Sequence, residues 1–227
     1  MNHVFIQPNS HQIVSFRVFD KLYLRYDEWY KRNYVIFECE LNALRMLKLG
    51  GRGLDLGVGT GIFASRIGVE FGVDPALNPL KLAKDRGVEV VQAMGECLPF
   101  RDKCFDYILI ALSLCFFDNP MDILREARRC LKDSGRIAIC VILKDSSWGR
   151  YYEMLKEKGH DFYRHANFYT FNELEEMLDS IGLSIEKVYA TLSYTPEDEP
   201  MIEEPSEEID GRSFVCLSAM PEPRPKG

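Results

Sequence analysis

The sequence predicts an α/β fold, in which helices cover both faces of a doubly wound, seven-stranded and mostly parallel sheet. Three observations predict it. From residue 51 onward, short apolar runs alternate with stretches of helical periodicity. A glycine-rich turn, Leu54–Gly61, joins the first apolar run to the first helical stretch. The last two apolar runs have no helical stretch between them, which indicates an antiparallel hairpin at one edge.

The chain has 227 residues, a length that suits one domain with a substantial core. Residues 1–50 are rich in aromatic and charged side chains, and we expect them to form an N-terminal helical lid. Within that lid, the leucine spacing predicts a helix over 38–49, ended by the two glycines that follow. Residues 51–220 should form the α/β domain and residues 221–227 a flexible tail.

The strands are predicted from apolar runs, and the helices from their start and stop signals. Asn78-Pro79 and Asn119-Pro120 have the pattern of a polar cap followed by proline, and Thr170–Glu173 is a capping box. The predicted strands are Gly53–Leu56, Glu70–Val73, Val88–Gln92, Tyr107–Leu112, Arg136–Leu143, Ser184–Leu192 and Arg212–Met220. The acidic stretch 196–210, which contains prolines, is predicted to be an exposed loop.

Charge and hydropathy limit the classes of function. The chain has 28 basic and 35 acidic residues, a net charge of −7, which argues against a nucleic-acid partner because phosphate contacts need clustered cations. Residues 1–12 have no signal-peptide pattern, and no apolar run is long enough to span a membrane. We therefore expect a soluble, cytoplasmic protein with no membrane partner.

The seven cysteines are scattered and form no CxxC pair. Most lie among apolar residues, as Cys115 and Cys140 do. We expect buried free thiols in a reducing cytoplasm, with neither a metal site nor a disulfide.

The glycine turn is the most informative segment. Its spacing, Gly57, Gly59 and Gly61, is GxGxG. A dinucleotide fingerprint, GxGxxG, would need its third glycine at Ile62, and no lysine follows to make a phosphate-binding loop. Asp55 stands just before the turn, where a carboxylate would repel a pyrophosphate but attract a cationic ligand. The turn therefore favours a cationic ligand such as S-adenosylmethionine over a diphosphate.

Two further segments fit a nucleoside ligand. Asp74 ends the second predicted strand, where a carboxylate can accept hydrogen bonds from both ribose hydroxyls; it could equally cap the turn before Pro75. The segment Met94–Phe100 follows the third predicted strand.

With these segments in this order, residues 50–190 resemble the class I S-adenosylmethionine-dependent methyltransferases, nearest the group that includes the ubiquinone/menaquinone-biosynthesis enzymes. The resemblance implies a Rossmann-like methyltransferase fold and S-adenosylmethionine as cofactor. Asp55 and the backbone of Gly57, Val58, Gly59, Thr60 and Gly61 would hold the methionine part. Asp74 would bind the ribose, with Pro75, Met94, Gly95 and Glu96 at the adenine and the backbone of Ala111 and Leu112 at the methionine ammonium. Met94 departs from the family pattern, since many relatives have an acidic residue there.

No catalytic residue or metal ligand is predicted, because methyl transfer needs mainly positioning and exclusion of water. The expected acceptor is a small molecule. Several aromatic, histidine and charged residues are candidates for the lid or the acceptor site, and each could instead be ordinary packing or surface. They are Tyr26, Trp29, Tyr30, Trp148, Tyr151, Tyr152, His160, Tyr163, His165, Lys144 and Asp145.

Two other functions stay open at this point. A nicotinamide-dependent oxidoreductase has the same fold, but its dinucleotide fingerprint needs glycine where Ile62 stands, and the carboxylate of Asp55 would repel the pyrophosphate. A non-catalytic S-adenosylmethionine-binding regulator is compatible with the absence of a predicted catalytic base. The 196–210 loop could then contact a partner. The sequence does not indicate an oligomeric state.

Overall fold

The predicted α/β architecture is confirmed. The computed structural model describes residues 12–222, in which seven strands form one sheet in the order β3-β2-β1-β4-β5-β7-β6. Strands β1 to β5 are parallel, and β7 runs antiparallel to both of its neighbours. The strands are β1 Gly53–Leu56, β2 Phe71–Asp74, β3 Glu89–Gln92, β4 Phe105–Ala111, β5 Leu131–Ile142, β6 Leu183–Thr191 and β7 Phe214–Pro221.

Helices cover both faces of the sheet. They are α1 Gln12–Arg32, α2 Tyr34–Met46, α3 Ala64–Ile67, α4 Leu77–Asp85, α5 Pro120–Cys130, α6 Ser147–Glu157 and α7 Phe171–Asp179. Alternate residues of β4 belong to separate cores, since Tyr107 and Leu109 pack on the α1–α4 and α6 side and Ile108 and Ile110 on the α5 and α7 side. A parallel sheet buried on both faces explains why the strands read as continuous apolar runs.

The antiparallel hairpin is confirmed, and the order of its two strands has a physical reason. The last strand in sequence, β7, lies inside the sheet, and β6 forms the edge. Nearly all of β7 is buried, whereas β6 includes Glu186 and Lys187, which suit a strand exposed on one side. The carboxylate of Glu186 is held at this edge by Arg136, with Nε and Oε2 2.6 Å apart.

The predicted element bounds hold within a few residues except at two places. The helix predicted over 38–49 is α2, which runs from Tyr34 to Met46, and a further helix, α1, precedes it over Gln12–Arg32. Strand β5 begins at Leu131 rather than Arg136, because Leu131 already pairs with Phe105 of β4. The capping box at Thr170 is present. Residues 1–11 of the predicted lid and 223–227 of the predicted tail lie outside the described residues.

The prediction that all cysteines are free thiols is wrong for one pair. Cys140 and Cys216 form a disulfide, and they stand directly opposite each other on β5 and β7, with Cα atoms 4.1 Å apart. The two are 76 residues apart in sequence, so their pairing depends on strand order that no spacing rule reveals. The free cysteines are Cys39, Cys97, Cys104, Cys115 and Cys130.

Across residues 12–222, no helix combines the length and the apolar character that crossing a membrane requires.

Candidate active site

A cavity lies beyond the carboxyl ends of β1, β2 and β4, at the point where the strand order reverses. Every predicted cofactor-binding residue except Gly61 lines it. Those that do are Asp55, Gly57, Val58, Gly59, Thr60, Asp74, Pro75, Met94, Gly95, Glu96, Ala111 and Leu112. The fold therefore brings together segments that are more than fifty residues apart in sequence.

The three glycines of the turn have positive φ angles but different surroundings. A Cβ on Gly57 would lie 2.5 Å from Cβ of Ser113, and one on Gly61 would lie 3.0 Å from Cα and Cβ of Ala83. A Cβ on Gly59 would have nothing closer than the Gly57 carbonyl oxygen at 4.0 Å. Gly61 thus allows close packing behind the turn, which is why it does not line the cavity, while Gly59 leaves the cavity open.

Asp55 presents a buried carboxylate to this cavity. Only 2% of the residue is exposed, and its Oδ1 has no hydrogen-bond partner within the described part of the chain. Burial raises the pKa of Asp55 well above its usual value, and the nearby charge of Asp74 raises it further. An unpaired carboxylate in such a place is costly unless a cation approaches it.

Asp74 is oriented by two backbone donors. The N–H of Ala76 donates to its Oδ1 at 2.8 Å, and the N–H of Gly59 donates to its Oδ2 at 3.0 Å. Burial raises its pKa to about 6, and these two hydrogen bonds limit the rise. Asp74 therefore caps the turn, and its carboxylate also lines the cavity with lone pairs to spare.

Leu112 follows β4 and has an unusual backbone conformation. Its φ is +57°, in the left-handed region that residues other than glycine seldom adopt. Its N–H donates to the carbonyl oxygen of Cys140 on β5 at 2.8 Å, which fixes that conformation. Such strain is often found where the backbone must present a group to a ligand.

Helix α1 covers the cavity with a stripe of aromatic residues that the sequence analysis missed except for one. Phe16, Phe19, Tyr23 and Tyr26 line the cavity, and only Tyr26 was among the predicted lid residues. Their spacing of three, four and three residues places them on one face of a helix, so helical periodicity in this segment was the signal that could have found them. Phe116, from the short 3-10 helix Leu114–Phe116, packs against Phe19 with ring centroids 4.7 Å apart.

A buried ion pair fastens α1 to the glycine turn. Arg86 donates to both carboxylate oxygens of Asp27, at 2.7 and 2.9 Å, and to the carbonyl oxygen of Thr60 at 2.8 Å. The Thr60 hydroxyl also donates to Asp27, at 3.0 Å. Burial opposes ionisation of Asp27, but the hydrogen bonds and charge of Arg86, the Thr60 hydroxyl and the charge of Lys31 together outweigh it and lower the pKa of Asp27 below its usual value. Thr60 thus has a second role, as the contact between the turn and α1.

We expect Asp27→Asn to lower the free energy of unfolding by about 2–4 kcal/mol, because Arg86 would lose its buried counter-ion. Since the pKa of Asp27 is lowered on folding, its contribution is present at neutral pH and is lost as the pH falls through that pKa. Denaturant unfolding at neutral and acidic pH measures this, and the difference from wild type should shrink in acid. The exposed pair Arg25–Asp161 offers the control: Asp161→Asn should change little. Equal effects of the two substitutions would contradict the assignment.

A second cavity adjoins the first, and Tyr26, Leu112 and Phe116 line both. Most of the predicted lid and acceptor-site candidates line this second cavity, but His165, Lys144 and Asp145 do not. The candidates that do are Tyr26, Trp29, Tyr30, Trp148, Tyr151, Tyr152, His160 and Tyr163. Of the three predicted lid residues only Tyr26 also lines the first cavity, whereas Trp29 and Tyr30 do not. No group of three or more His, Cys, Asp or Glu side chains that could hold a metal ion is found within the described range 12–222.

Comparisons with known proteins bear on this arrangement. A family model described as methyltransferase domain matches residues 54–139. An uncharacterized protein of Methanocaldococcus jannaschii is 40% identical over 202 residues, covering 89% of this chain and 98% of the relative. A ubiquinone/menaquinone biosynthesis C-methyltransferase of Xylella fastidiosa is 36% identical over 112 residues, 43% of this chain and 44% of that one.

Among solved structures, one from Thermotoga maritima is described as an S-adenosylmethionine-dependent methyltransferase and possible histamine N-methyltransferase. It is 33% identical, with a TM-score of 0.87, and the match covers 92% of this chain and 100% of that one.

Proposed function

This chain belongs to the class I S-adenosylmethionine-dependent methyltransferases, and from that premise we propose that it transfers a methyl group to a small-molecule acceptor bound beside the glycine turn. The observation that carries the proposal is the buried carboxylate of Asp55, a residue that lines the cavity and whose Oδ1 lacks a partner among residues 12–222. A cation at this place would compensate the buried charge.

The residues of the cavity fit the groups of S-adenosylmethionine. Asp55 and the open backbone at Gly59 suit its amino-acid part, and Asp74, already oriented by two backbone bonds, suits the ribose hydroxyls. The remaining predicted residues would border the adenine: Pro75, Met94, Gly95 and Glu96. Half-buried Met94 would pack on the ring, where many relatives have an acidic residue.

When bound, S-adenosylmethionine supplies a methyl group on a positively charged sulfur. The contribution of the chain is to hold donor and acceptor in line and to exclude water. In this proposal the α1 stripe of Phe16, Phe19, Tyr23 and Tyr26 acts as the lid, and Ala111 and Leu112 offer backbone groups at the end of β4. Aromatic faces from α1 would also favour a nearby cation.

Calorimetric titration with S-adenosylmethionine, with its demethylated product and with NADH tests the proposal. Heat with the first two and none with NADH supports it, and the reverse would end it. Formation of S-adenosylhomocysteine with an acceptor panel then tests turnover. The description of the Thermotoga relative as a possible histamine N-methyltransferase makes small amines the first acceptors to try.

We expect the affinity for S-adenosylmethionine to fall as the pH is lowered through about 6. Burial raises the pKa of Asp74 to about 6, so acid protonates a carboxylate that the ribose hydroxyls need as an acceptor. Binding in this range should release a proton, which calorimetry in two buffers of different ionisation enthalpy detects. An affinity that stays constant between about pH 7 and pH 5 would contradict the role given to Asp74.

A further inference from the structure

The second cavity has about 400 Å³ of space and is walled largely by aromatic rings. Rings from α1 and α6 and from the segment after α6 face it, among them Trp29, Tyr30, Trp148, Tyr152 and Tyr163. Several of these rings pack on one another, as Tyr152 and Tyr163 do with centroids 4.4 Å apart. Because the walls of both cavities include Tyr26, Leu112 and Phe116, a molecule in the second cavity lies next to the first.

Glu40 of α2 is the one acidic residue in the wall of this cavity among the described residues. Only 3% of the residue is exposed. Burial raises the pKa of Glu40 well above its usual value, and a hydrogen bond from the Tyr30 side chain opposes the rise. Its carboxyl oxygen Oε2 has no hydrogen-bond partner within residues 12–222. Glu40 therefore keeps an unpartnered acceptor in the interior of the described part of the chain.

The basic groups of the cavity do not neutralise Glu40. Arg25 is paired with Asp161, at 2.6 Å between Nη1 and Oδ2. Burial lowers the pKa of His160, and the charge of Arg25 lowers it further, so His160 is neutral at neutral pH. Burial raises the pKa of the Cys115 thiol, which also lines the cavity, so it is neutral. The tyrosines on which the charge of Glu40 acts have raised pKa values as well and are neutral: Tyr26, Tyr30, Tyr152, Tyr163 and Tyr194.

A buried carboxylate with an unpartnered oxygen, in a cavity walled by aromatic faces, is complementary to an organic cation. Ring faces attract ammonium groups, and a carboxylate attracts them more strongly when both are withdrawn from water. A neutral alcohol of the same shape would gain the ring contacts but not the ionic one, and a carboxylic acid would be repelled.

We propose that the second cavity binds the methyl acceptor, and that the acceptor carries a positively charged amine held by Glu40 between the surrounding rings. This amine anchors the acceptor, and a different atom of the acceptor, one with a free lone pair, receives the methyl group. That the bound amine is the methyl acceptor rests on the proposed function, whereas the binding of an amine in this cavity does not. Glu40 is a binding residue in this proposal.

Tryptophan fluorescence tests the proposal directly. The chain has two tryptophans, Trp29 and Trp148, and both line this cavity, so their emission reports its occupancy. Titration with 2-phenylethylamine, 2-phenylethanol and phenylacetate compares three ligands that differ in the polar group. The amine should bind about tenfold or more tightly than the alcohol, and phenylacetate more weakly still.

The substitution Glu40→Gln should remove this preference by weakening the amine about tenfold while leaving the alcohol unchanged. Glu38→Gln is the matched control, because Glu38 is on the same helix and is paired with Arg45 outside the cavity. Thermal unfolding should show Glu40→Gln at least as stable as wild type, since the cost of burying an ionisable carboxyl group is removed.

Equal affinity of the wild type for amine and alcohol would overturn the inference without needing any variant, and so would an amine preference that survives Glu40→Gln. The outcome for methyl transfer is separate. If S-adenosylmethionine does not bind but the amine preference is seen, the proposed function fails and the cation site stands. If S-adenosylhomocysteine forms only with uncharged acceptors, the proposed function stands and the inference fails.

Discussion

We expect Gly57→Ala to lower the affinity for S-adenosylmethionine at least about 100-fold and to lower the free energy of unfolding by about 3–5 kcal/mol. The added Cβ would lie 2.5 Å from Cβ and 2.8 Å from Oγ of Ser113, and φ at this position is +77°. Ser113 cannot simply move aside, because its hydroxyl donates to the buried carbonyl oxygen of Leu56 at 2.7 Å. The turn itself must therefore shift, and its backbone would no longer border the cavity correctly.

Gly68→Ala separates backbone strain from steric overlap. Gly68 ends α3 with φ +73°, but a Cβ there would meet no atom within 4 Å. This variant should lose about 1–2 kcal/mol of stability from strain alone and keep its affinity for the cofactor. Denaturant unfolding and calorimetric titration of both variants are the measurements. Wild-type affinity in Gly57→Ala would show that the turn does not contact the ligand.

We expect Asp55→Asn to weaken S-adenosylmethionine binding by about 10–100-fold, the effect of losing a charged hydrogen bond worth about 1.5–3 kcal/mol. The free energy of unfolding, in contrast, should rise in Asp55→Asn. Burial raises the pKa of Asp55, so the folded wild type loses stability as the pH rises from the usual carboxyl pKa toward the raised one. The variant escapes this loss, and its advantage in unfolding free energy should grow over that range.

Asp106→Asn is the control for this change, since Asp106 lies at the other end of the sheet, where Lys132 and the backbone of Arg52 bind its carboxylate. It should leave cofactor affinity unchanged. If Asp55→Asn bound the cofactor as tightly as wild type while remaining folded, the electrostatic basis of the proposed function would be lost.

Much of the fold could be predicted because its signals are local. The bounds of β1 matched the structure, and α4 begins at Leu77, one residue before the predicted start signal Asn78-Pro79, because a buried apolar run and a helix start each need only a few neighbouring residues. The position of β7 inside the sheet and its disulfide to β5 depend on which strands become neighbours. The choice of neighbouring strands is a long-range property, and the local sequence pattern does not encode it.

The site shows the same division. The turn and Asp74 were found because their residue types and spacing are unusual, and the fold places both at one cavity. Phe16, Phe19 and Tyr23 were missed because Tyr26, Trp29 and Tyr30, in the next two turns of α1, form a denser aromatic cluster in the sequence. Glu40 was missed because a glutamate on a helix is ordinarily exposed, and only tertiary packing shows that this one is buried.

The cross-link between Cys140 and Cys216 closes a covalent ring of chain that contains α6, α7 and β6. The ring includes Trp148, Tyr152 and Tyr163, which wall the aromatic cavity. In a chain-entropy model, closing a loop of this size lowers the conformational entropy of the denatured chain, which raises the free energy of unfolding by roughly 4–5 kcal/mol. Much of the stabilisation by the cross-link therefore arises in the denatured chain. There the segment that forms one wall of the cavity remains linked at both ends, because the disulfide still joins the residues of β5 and β7.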